Sequence, residues 1–446
     1  MFPDLLPMAA TAPGAEGRLV TVLLQLVVII VAARVVAAIL RRLGQPTVVG
    51  EIAAGLLLGP SCFGYFLPRV SAAIFDPAVA PVFEVLSQLG LILLLFVVGL
   101  EFDFSHLRPD GRAALGISLT GIALPFALGL ALAAAAHRHL EFSHLGRPVP
   151  LLGFALFMGV AMSITAIPVL ARIMMELNLT RTRIGAMTIS AAAVDDACGW
   201  ILLATISGIV EARFQILRSL EMIVGTVGFF LLMLLVARPL LKAFVRPALR
   251  RGRGELGLDS LAVILVILLL SALATSLIGI FAIFGAFLLG TMLSDEVEFR
   301  EVIHRHLRDF LTVFFLPIFF TYTGLRTNVG TLTTWGHGLL LAGVLAAAIA
   351  GKLGGCALAA RLAGVRPREA LAIGTMMNTR GLMELVVINV GRDLGVIPAS
   401  VFCMLVLMAL GTTVMTTPLL LRLVRGTELE SHVRQSEFMV RGRKDS

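Results

Sequence analysis

Two carboxylates stand side by side, Asp195 and Asp196, in the stretch AVDDACGW at 193–200. Roughly ten or more uncharged residues flank them on each side, which sets both near the centre of any membrane helix that carries them. A charge at that depth costs about 2.5 kcal/mol or more, so such residues mark proton or ion pathways. Carboxylate oxygens suit hard monovalent cations and protons alike. Adjacent residues point about 100° apart on a helix, so Asp195 and Asp196 cannot face one partner and are expected to do different jobs.

Lys352, in GKLGG at 351–355, is the one lysine within an apolar segment. The nearer end of that segment is about eight residues away, ~12 Å of helix, too far for a four-carbon stem to reach water. A buried counter-ion is therefore expected, and an aspartate of the dyad is the natural one. Removing either charge of such a pair leaves the other uncompensated.

Two other segments disfavour unbroken helix. One is SITAIP at 163–168, where Ser163 and Thr165 offer hydroxyls and Pro168 removes a backbone donor and crowds the preceding turn. The second is NTRG at 378–381, comprising Asn378, Thr379, Arg380 and Gly381. Broken helices expose amides and carbonyls with partial charges, and these can ligate an ion. Thr165 joins Asp195 and Asp196 as an expected ion or proton ligand. Arg380 and Glu384, four residues apart, are expected to pair and to stabilise the second break.

These residues have to be held by membrane helices. Of 446 residues, 58% are hydrophobic and 14% charged, whereas a soluble domain carries roughly 25% charge. Residues 113–136 and 261–293 contain no charge and are long enough to cross ~30 Å of hydrocarbon. Their continuous apolarity excludes a barrel, whose strands alternate. The net charge of +8 sits in loops, so no nucleic-acid partner is expected. Cys62, Cys198, Cys356 and Cys403 are scattered without ligand spacing and imply neither disulfide nor zinc. No P-loop, nucleophile triad or metal cluster is visible, so neither an enzyme, an ATP-driven pump nor a cofactor is expected. The first 18 residues lack a basic cluster, and the first apolar run reads as a permanent span.

Splitting at charged and Pro/Gly-rich breaks gives thirteen spans: 19–40, 47–59, 85–102, 113–136, 150–171, 184–210, 219–237, 258–274, 277–293, 309–325, 338–360, 369–391 and 398–421. Alternate loops then hold 25 and 8 Lys and Arg residues. The positive-inside rule places the N-terminus outside and the C-terminus in the cytoplasm of a multi-pass protein of the inner (cell) membrane. Glu51 and Glu101 fall near span ends and read as interfacial. His304 and His306, in EVIHRHLRD, read as an exposed loop face.

The halves of the chain echo each other. FVVGLEFDFSHL at 96–107 and TYTGLRTNVGTL at 321–332 share Gly, Leu and the final Leu in register. Each is preceded by a short Gly-marked span, AGLLLG at 54–59 and GAFLLG at 285–290. The offset of seven spans is odd, so the second copy is upside down in the membrane. The expected fold is an all-α polytopic membrane protein with inverted six-helix repeats and two crossed discontinuous helices. Repeat 1 covers about 19–210, a linker helix 219–237, repeat 2 258–421 and a short tail 422–446. Secondary transporters share this organisation, with sites where matching helices of both halves are interrupted.

With QPTVVGEIAAGLLLGPS at 45–61, SITAIPVLARIM at 163–174, AVDDACGW, FFLPIFFTYTGLRTN at 314–328 and NTRGLMELVVINVG at 378–391, nearly the whole chain resembles the monovalent cation:proton antiporters, in the second cation:proton antiporter branch of the sodium/hydrogen exchanger superfamily. The resemblance implies the sodium/proton antiporter fold and a homodimer in the lipid bilayer. Spans 1–3 and 8–10 would form its scaffold, and spans 4–6 and 11–13 a mobile core that carries the ion like an elevator. It matches Asp196 to the ion-binding carboxylate, Asp195 to the aspartate that pairs with a lysine, and Lys352 to that lysine. Thr165 and Asn378 fall in the crossing breaks. Two aspartates in the family lean towards electrogenic exchange.

The expected function is exchange of Na⁺ or K⁺ for H⁺, with ion and proton competing for the Asp196 carboxylate and Asp195 assisting. The alternative is a gated potassium-efflux channel-like protein or a sensor that kept the transport fold, distinguished by loss of stoichiometric coupling. Some relatives carry a cytoplasmic nucleotide-binding domain, and the roughly 25 residues after the last span lead to the expectation that this chain does not.

Overall fold

The computed structural model describes residues 15–434 except 102–110, 140–142, 145, 146, 180, 181, 212–215, 253 and 280. Residues 1–14, the second half of FVVGLEFDFSHL and the tail from 435 lie outside the described residues. The chain is helical, as a backbone in lipid must satisfy its own hydrogen bonds. In order come α1 Ala15–Arg42, α2 Thr47–Leu58, α3 Ala80–Glu101, α4 Gly111–His139, α5 Leu151–Ser163, α6 Ile167–Glu176 and α7 Arg183–Glu211. Then α8 Ile216–Leu232 continues through a π-helical turn, Met233–Ala237, into α9 Arg238–Arg251. They are followed by α10 Leu258–Ile278, α11 Ala282–Met292 and α12 Val297–Phe310, which a π turn joins to α13 Leu316–Leu325. A third π turn, Ile349–Gly354, joins α14 Trp335–Ala348 to α15 Gly355–Leu362. The last are α16 Pro367–Met377, α17 Leu382–Asp393, α18 Ala399–Leu423 and the short α19 Leu429–Arg434.

Among the described residues ten helices are long and apolar enough to cross a bilayer, or eleven if α16 and α17, bent by 45° at their break, count as one span. Thirteen crossings were expected. The shortfall lies at α5 and α11, apolar helices of 13 and 11 residues. The first stops because the chain turns extended at Ile164, and the second is cut off from α10 by the left-handed turn at Gly279, φ 99°. One other expectation changes. His304 and His306 lie on helix α12, whose buried Phe299, Val302 and Ile303 anchor it, rather than on a loop. Glu51, on α2, is 2% exposed.

The chain divides into two compact units, one drawn from Met1–Ala32, Phe63–Phe104 and Ser207–Tyr322, the other from Ala33–Cys62, Ser105–Ile206 and Thr323–Ser446. In the first, α3 and α11 touch backbone to backbone, since a Cβ on Gly290 would lie 2.2 Å from the Phe96 carbonyl oxygen. Small residues permit such approach where lipid gives helices no hydrophobic drive to associate. In the second, α4 to α7 and α14 to α18 enclose a densely buried interior that includes Phe154, Phe157, Met376, Leu385 and Phe402. α2 belongs to this second unit, although the resemblance groups its span with the scaffold. The close packing of Gly50 on Ala37 and of Gly324 on Ile52 explains that placement.

Candidate functional site

Every residue expected to do chemistry lies in the second unit. Two broken helices build the centre. Between α5 and α6 the chain runs extended at Ile164 and Ala166. Pro168 stands in the first turn of α6, where a missing N–H costs nothing, so the break precedes the proline. Between α16 and α17 the break spans Asn378–Gly381. The breaks cross and hold each other. The Ala166 N–H donates to the Thr379 carbonyl at 2.9 Å, and the Thr165 hydroxyl donates to the Met377 carbonyl at 2.7 Å. The Thr379 hydroxyl closes back on Met376 at 2.7 Å.

α7 brings the dyad to this crossing, and its two members are treated differently. Asp195 receives the Thr165 N–H at 2.7 Å, and the Lys352 ammonium donates to both its oxygens at 2.8 and 2.9 Å. Asp195 and Lys352 are both 0% exposed. Lys352 also donates to the Ser163 carbonyl, the last of α5, and so neutralises part of the negative end of that half-helix. A π-helical turn presents Lys352, a geometry frequent at functional sites. Gly121 of α4 leaves room beside the ammonium: a Cβ there would lie 2.4 Å from Cys356 Sγ and 3.9 Å from Lys352 Nζ. Asp196 takes a different partner. Its Oδ2 accepts a hydrogen bond of 3.3 Å from the Trp200 indole N–H, one turn along α7, and no cation of the described residues pairs with it.

Arg380 sits in the second break, fully buried, and fills the first. Its guanidinium donates to the Ala161 and Met162 carbonyls at 2.7 and 2.6 Å, which are unpaired acceptors at the C-terminal end of α5. Its own backbone is clamped by Thr413 of α18, whose hydroxyl accepts from the Arg380 N–H at 3.0 Å and donates to its carbonyl at 2.7 Å. Glu384 lies 3.3 Å from the guanidinium as an ion pair, though neither carboxylate oxygen accepts a hydrogen bond with proper geometry. Asn378 is 0% exposed, and both ends of its amide lack a partner among the described residues. Buried groups of that kind are rare and costly.

The structure thus brings Ser163, Thr165, Asp195, Lys352, Asn378, Thr379, Arg380 and Glu384 around one crossing, with Asp196 beside Asp195. Trp200 and Thr413 were not singled out from sequence, although Trp200 stands four residues after Asp196, on the same helix face. Among the described residues no group of three or more His, Cys, Asp or Glu could chelate a metal ion. The arrangement is suited to binding one monovalent charge at a carboxylate, assisted by hydroxyl and backbone oxygens.

Residues 27–423 match the family described as sodium/hydrogen exchanger, transmembrane. The chain is 38% identical to the Na(+)/H(+) antiporter NhaS4 of Synechocystis, over 91% of this chain and 98% of that protein. It is 39% identical to cation/H(+) antiporter 17 of Arabidopsis thaliana over 93% of its own length, and spans about half the length of that plant protein. K(+)/H(+) antiporter 1 of Saccharomyces cerevisiae is 32% identical over 84% of this chain and 43% of its own. In fold, the chain is similar to the sodium proton antiporter MjNhaP1 of Methanocaldococcus jannaschii, with a TM-score of 0.59 at 15% identity over 92% of this chain and 100% of that one. With a match that runs from α1 to the end of α18, the chain belongs to the transmembrane sodium/hydrogen exchanger family.

Proposed function

We propose that the protein exchanges a monovalent cation, Na⁺ or K⁺, for H⁺, and that ion and proton compete for the Asp196 carboxylate. The observation that carries this reading is the asymmetry of the dyad: Asp195 is committed to Lys352 and the Thr165 amide, while Asp196 keeps an oxygen without a partner among the described residues. A bare carboxylate in hydrocarbon is costly, and either a proton or a monovalent cation removes that cost. Each neutralises the same charge, so each excludes the other. Only the neutralised site then crosses the membrane barrier readily, which couples the two flows.

Asp195 and Lys352 act as a switchable pair beside the ion. A cation approaching Asp196 also attracts Asp195 and repels Lys352, so ion binding weakens the pair and proton binding restores it. The Thr165 hydroxyl and the open carbonyls of the two breaks supply further oxygen ligands. Relatives bear both Na(+)/H(+) and K(+)/H(+) names, and the choice between the ions rests on site dimensions.

Movement of the second unit as an elevator core, within a homodimer, completes the reading, and the division of the chain into two units supports it. In proteoliposomes, an imposed Na⁺ or K⁺ gradient is expected to drive proton movement in the wild type and not in Asp196→Asn. Unchanged exchange in that variant overturns the assignment of Asp196. Cation flow without proton movement in the wild type indicates a channel instead. A monomeric mass by light scattering in detergent removes the dimer.

A further inference from the structure

Asn378 closes α16, and nothing in the local fold calls for an asparagine there. Its backbone, at φ −82° and ψ 7°, is open to any residue and is not the left-handed turn that favours Asn at a helix end. Its N–H donates to the Gly374 carbonyl at 3.1 Å, as the next residue of any helix would. The side chain is 0% exposed, yet neither Oδ1 nor Nδ2 meets a partner among the described residues. An apolar side chain of similar size would fill the same space without two unpaired polar atoms. The asparagine is therefore kept at a cost to stability that packing and capping leave unexplained.

Its place in the chain shows what the side chain can serve. The Met377 carbonyl on one side of it accepts from the Thr165 hydroxyl at 2.7 Å, and the Thr379 carbonyl on the other accepts from the Ala166 N–H at 2.9 Å, so Asn378 stands where the two breaks cross. One turn earlier, Gly374 lies against the π turn that presents Lys352: a Cβ on it would come 2.2 Å from the Leu353 carbonyl oxygen. The donors around the crossing are already spent. Lys352 and the Thr165 N–H are committed to Asp195, and the Arg380 guanidinium serves the α5 carbonyls. Among the described residues, Asp196 Oδ1 and both ends of the Asn378 amide are left over.

We infer that the Asn378 amide oxygen is a ligand of the transported cation but not of the proton, and so tilts their competition for Asp196. The inference rests on the exchange proposed above and adds a residue that tells the two competitors apart. A carboxylate takes either a proton or a hard cation, whereas a neutral amide oxygen ligates the cation and leaves the proton alone. Both amide atoms are sealed from water in this structure, so the second break opens to admit the ion. The unpaired amide raises the cost of the closed, empty arrangement and favours that opening.

The test measures exchange by the full chain in proteoliposomes, with Na⁺ and K⁺ in turn as the probe. In Asn378→Leu the half-saturating concentration of the transported cation is expected to rise at least about tenfold, as loss of one polar contact to a charge does. The melting temperature of the cation-free protein in detergent is expected to stay level or rise, because the variant removes two unpaired atoms. Asn378→Gln, which keeps the amide, is expected to show the smaller rise in half-saturating concentration. An unchanged half-saturating concentration in Asn378→Leu overturns the inference and leaves a packing role. A lower melting temperature or a failure to fold overturns it too, since the amide would then be holding the fold. Asp196→Asn separates this inference from the reading beneath it. If that variant loses exchange while Asn378→Leu keeps the wild-type half-saturating concentration, Asp196 stands and Asn378 alone is refuted; if Asp196→Asn exchanges like the wild type, both fall.

Discussion

Two lysine–aspartate pairs hold the molecule at different places, and they could hardly differ more in what surrounds them. Lys352 and Asp195 are both 0% exposed, in contact through both carboxylate oxygens and pinned by the backbone of the first break. Lys242 of α9 pairs with Asp295, which is 47% exposed, in a network where Arg238 also reaches Asp295 and Arg246 reaches Glu296. The same two functional groups therefore work under opposite rules. Around the buried pair, with both side chains 0% exposed, bulk water does not replace a lost partner. At the exposed pair water, salt and two arginines all can.

Breaking the buried pair gives the largest effect. Lys352→Ala leaves the Asp195 charge buried and alone, which is expected to cost about 3–5 kcal/mol of stability and to abolish exchange. Replacing both partners, Asp195→Asn with Lys352→Met, removes the orphaned charge and is expected to recover most of that loss. Melting temperatures of the two single variants and the double variant measure the coupling. A double variant no more stable than Lys352→Ala would show that the ammonium acts mainly through the Ser163 carbonyl. The double variant also sharpens the functional half of the comparison: under a membrane-potential clamp, any residual exchange through Asp196 is expected to have a stoichiometry different from the wild type.

Arg380 comes next. Its guanidinium serves two α5 carbonyls and Glu384 at once, a division of labour that a fork of planar donors permits and a single ammonium does not. Arg380→Ala is expected to cost about 3 kcal/mol, since it leaves a buried carboxylate and a half-helix end without partners. Arg380→Lys is expected to fall between that variant and the wild type. Equal melting temperatures for Arg380→Lys and the wild type would mean that the fork geometry is not needed.

Trp200→Phe tests the open carboxylate with a smaller change. It deletes the indole donor to Asp196 Oδ2 and preserves the apolar ring. A hydrogen bond to a charged group is worth about 1.5–3 kcal/mol, and at 3.3 Å the lower end applies. Under the proposed competition, an Asp196 freed of that bond would offer both oxygens, so the half-saturating cation concentration is expected to change by roughly tenfold while the melting temperature moves little. A cation response identical to the wild type would make Trp200 a packing residue.

What was legible in the sequence follows from which atoms do the work. Asp195, Asp196 and Lys352 could be read because each is a charge in an apolar run, a signal that needs no structure. The pairing of the two breaks could be read from Pro168 and the NTRG stretch. The acceptors that orient the charged groups could not, because the carbonyls of Ala161, Met162 and Ser163 become available only where α5 ends, five or more residues before Pro168. The burial of Glu51 could not be read because distance from the end of a run says nothing of packing, and α2 is short with a glycine face packed against its neighbours. Ten or eleven long apolar helices stand among the described residues where thirteen spans were expected, for a related reason: apolarity sets which segments can enter lipid, while breaks set how much of each is helix.

The exposed pair gives the smallest effect and marks the other end of the comparison. Partial burial works against the charge of Asp295, yet Lys242 and Arg238 outweigh it and hold the carboxyl below its ordinary range. The hydrogen bond from Arg246 does the same for Glu296. With folded values depressed, the network stabilises the protein above the ordinary carboxylate range near pH 4, and its contribution is lost as pH falls through the depressed values. Discounted for exposure, Lys242→Ala is expected to cost less than about 1 kcal/mol at neutral pH and low salt. The cost should shrink in about 1 M salt, where charges are screened beyond ~3 Å, and fade as pH falls through the depressed range of the two carboxyls. A cost that survived both conditions would come from the lysine's hydrocarbon stem packed on α9's surroundings rather than from its charge. The two pairs would then differ in kind as well as in depth.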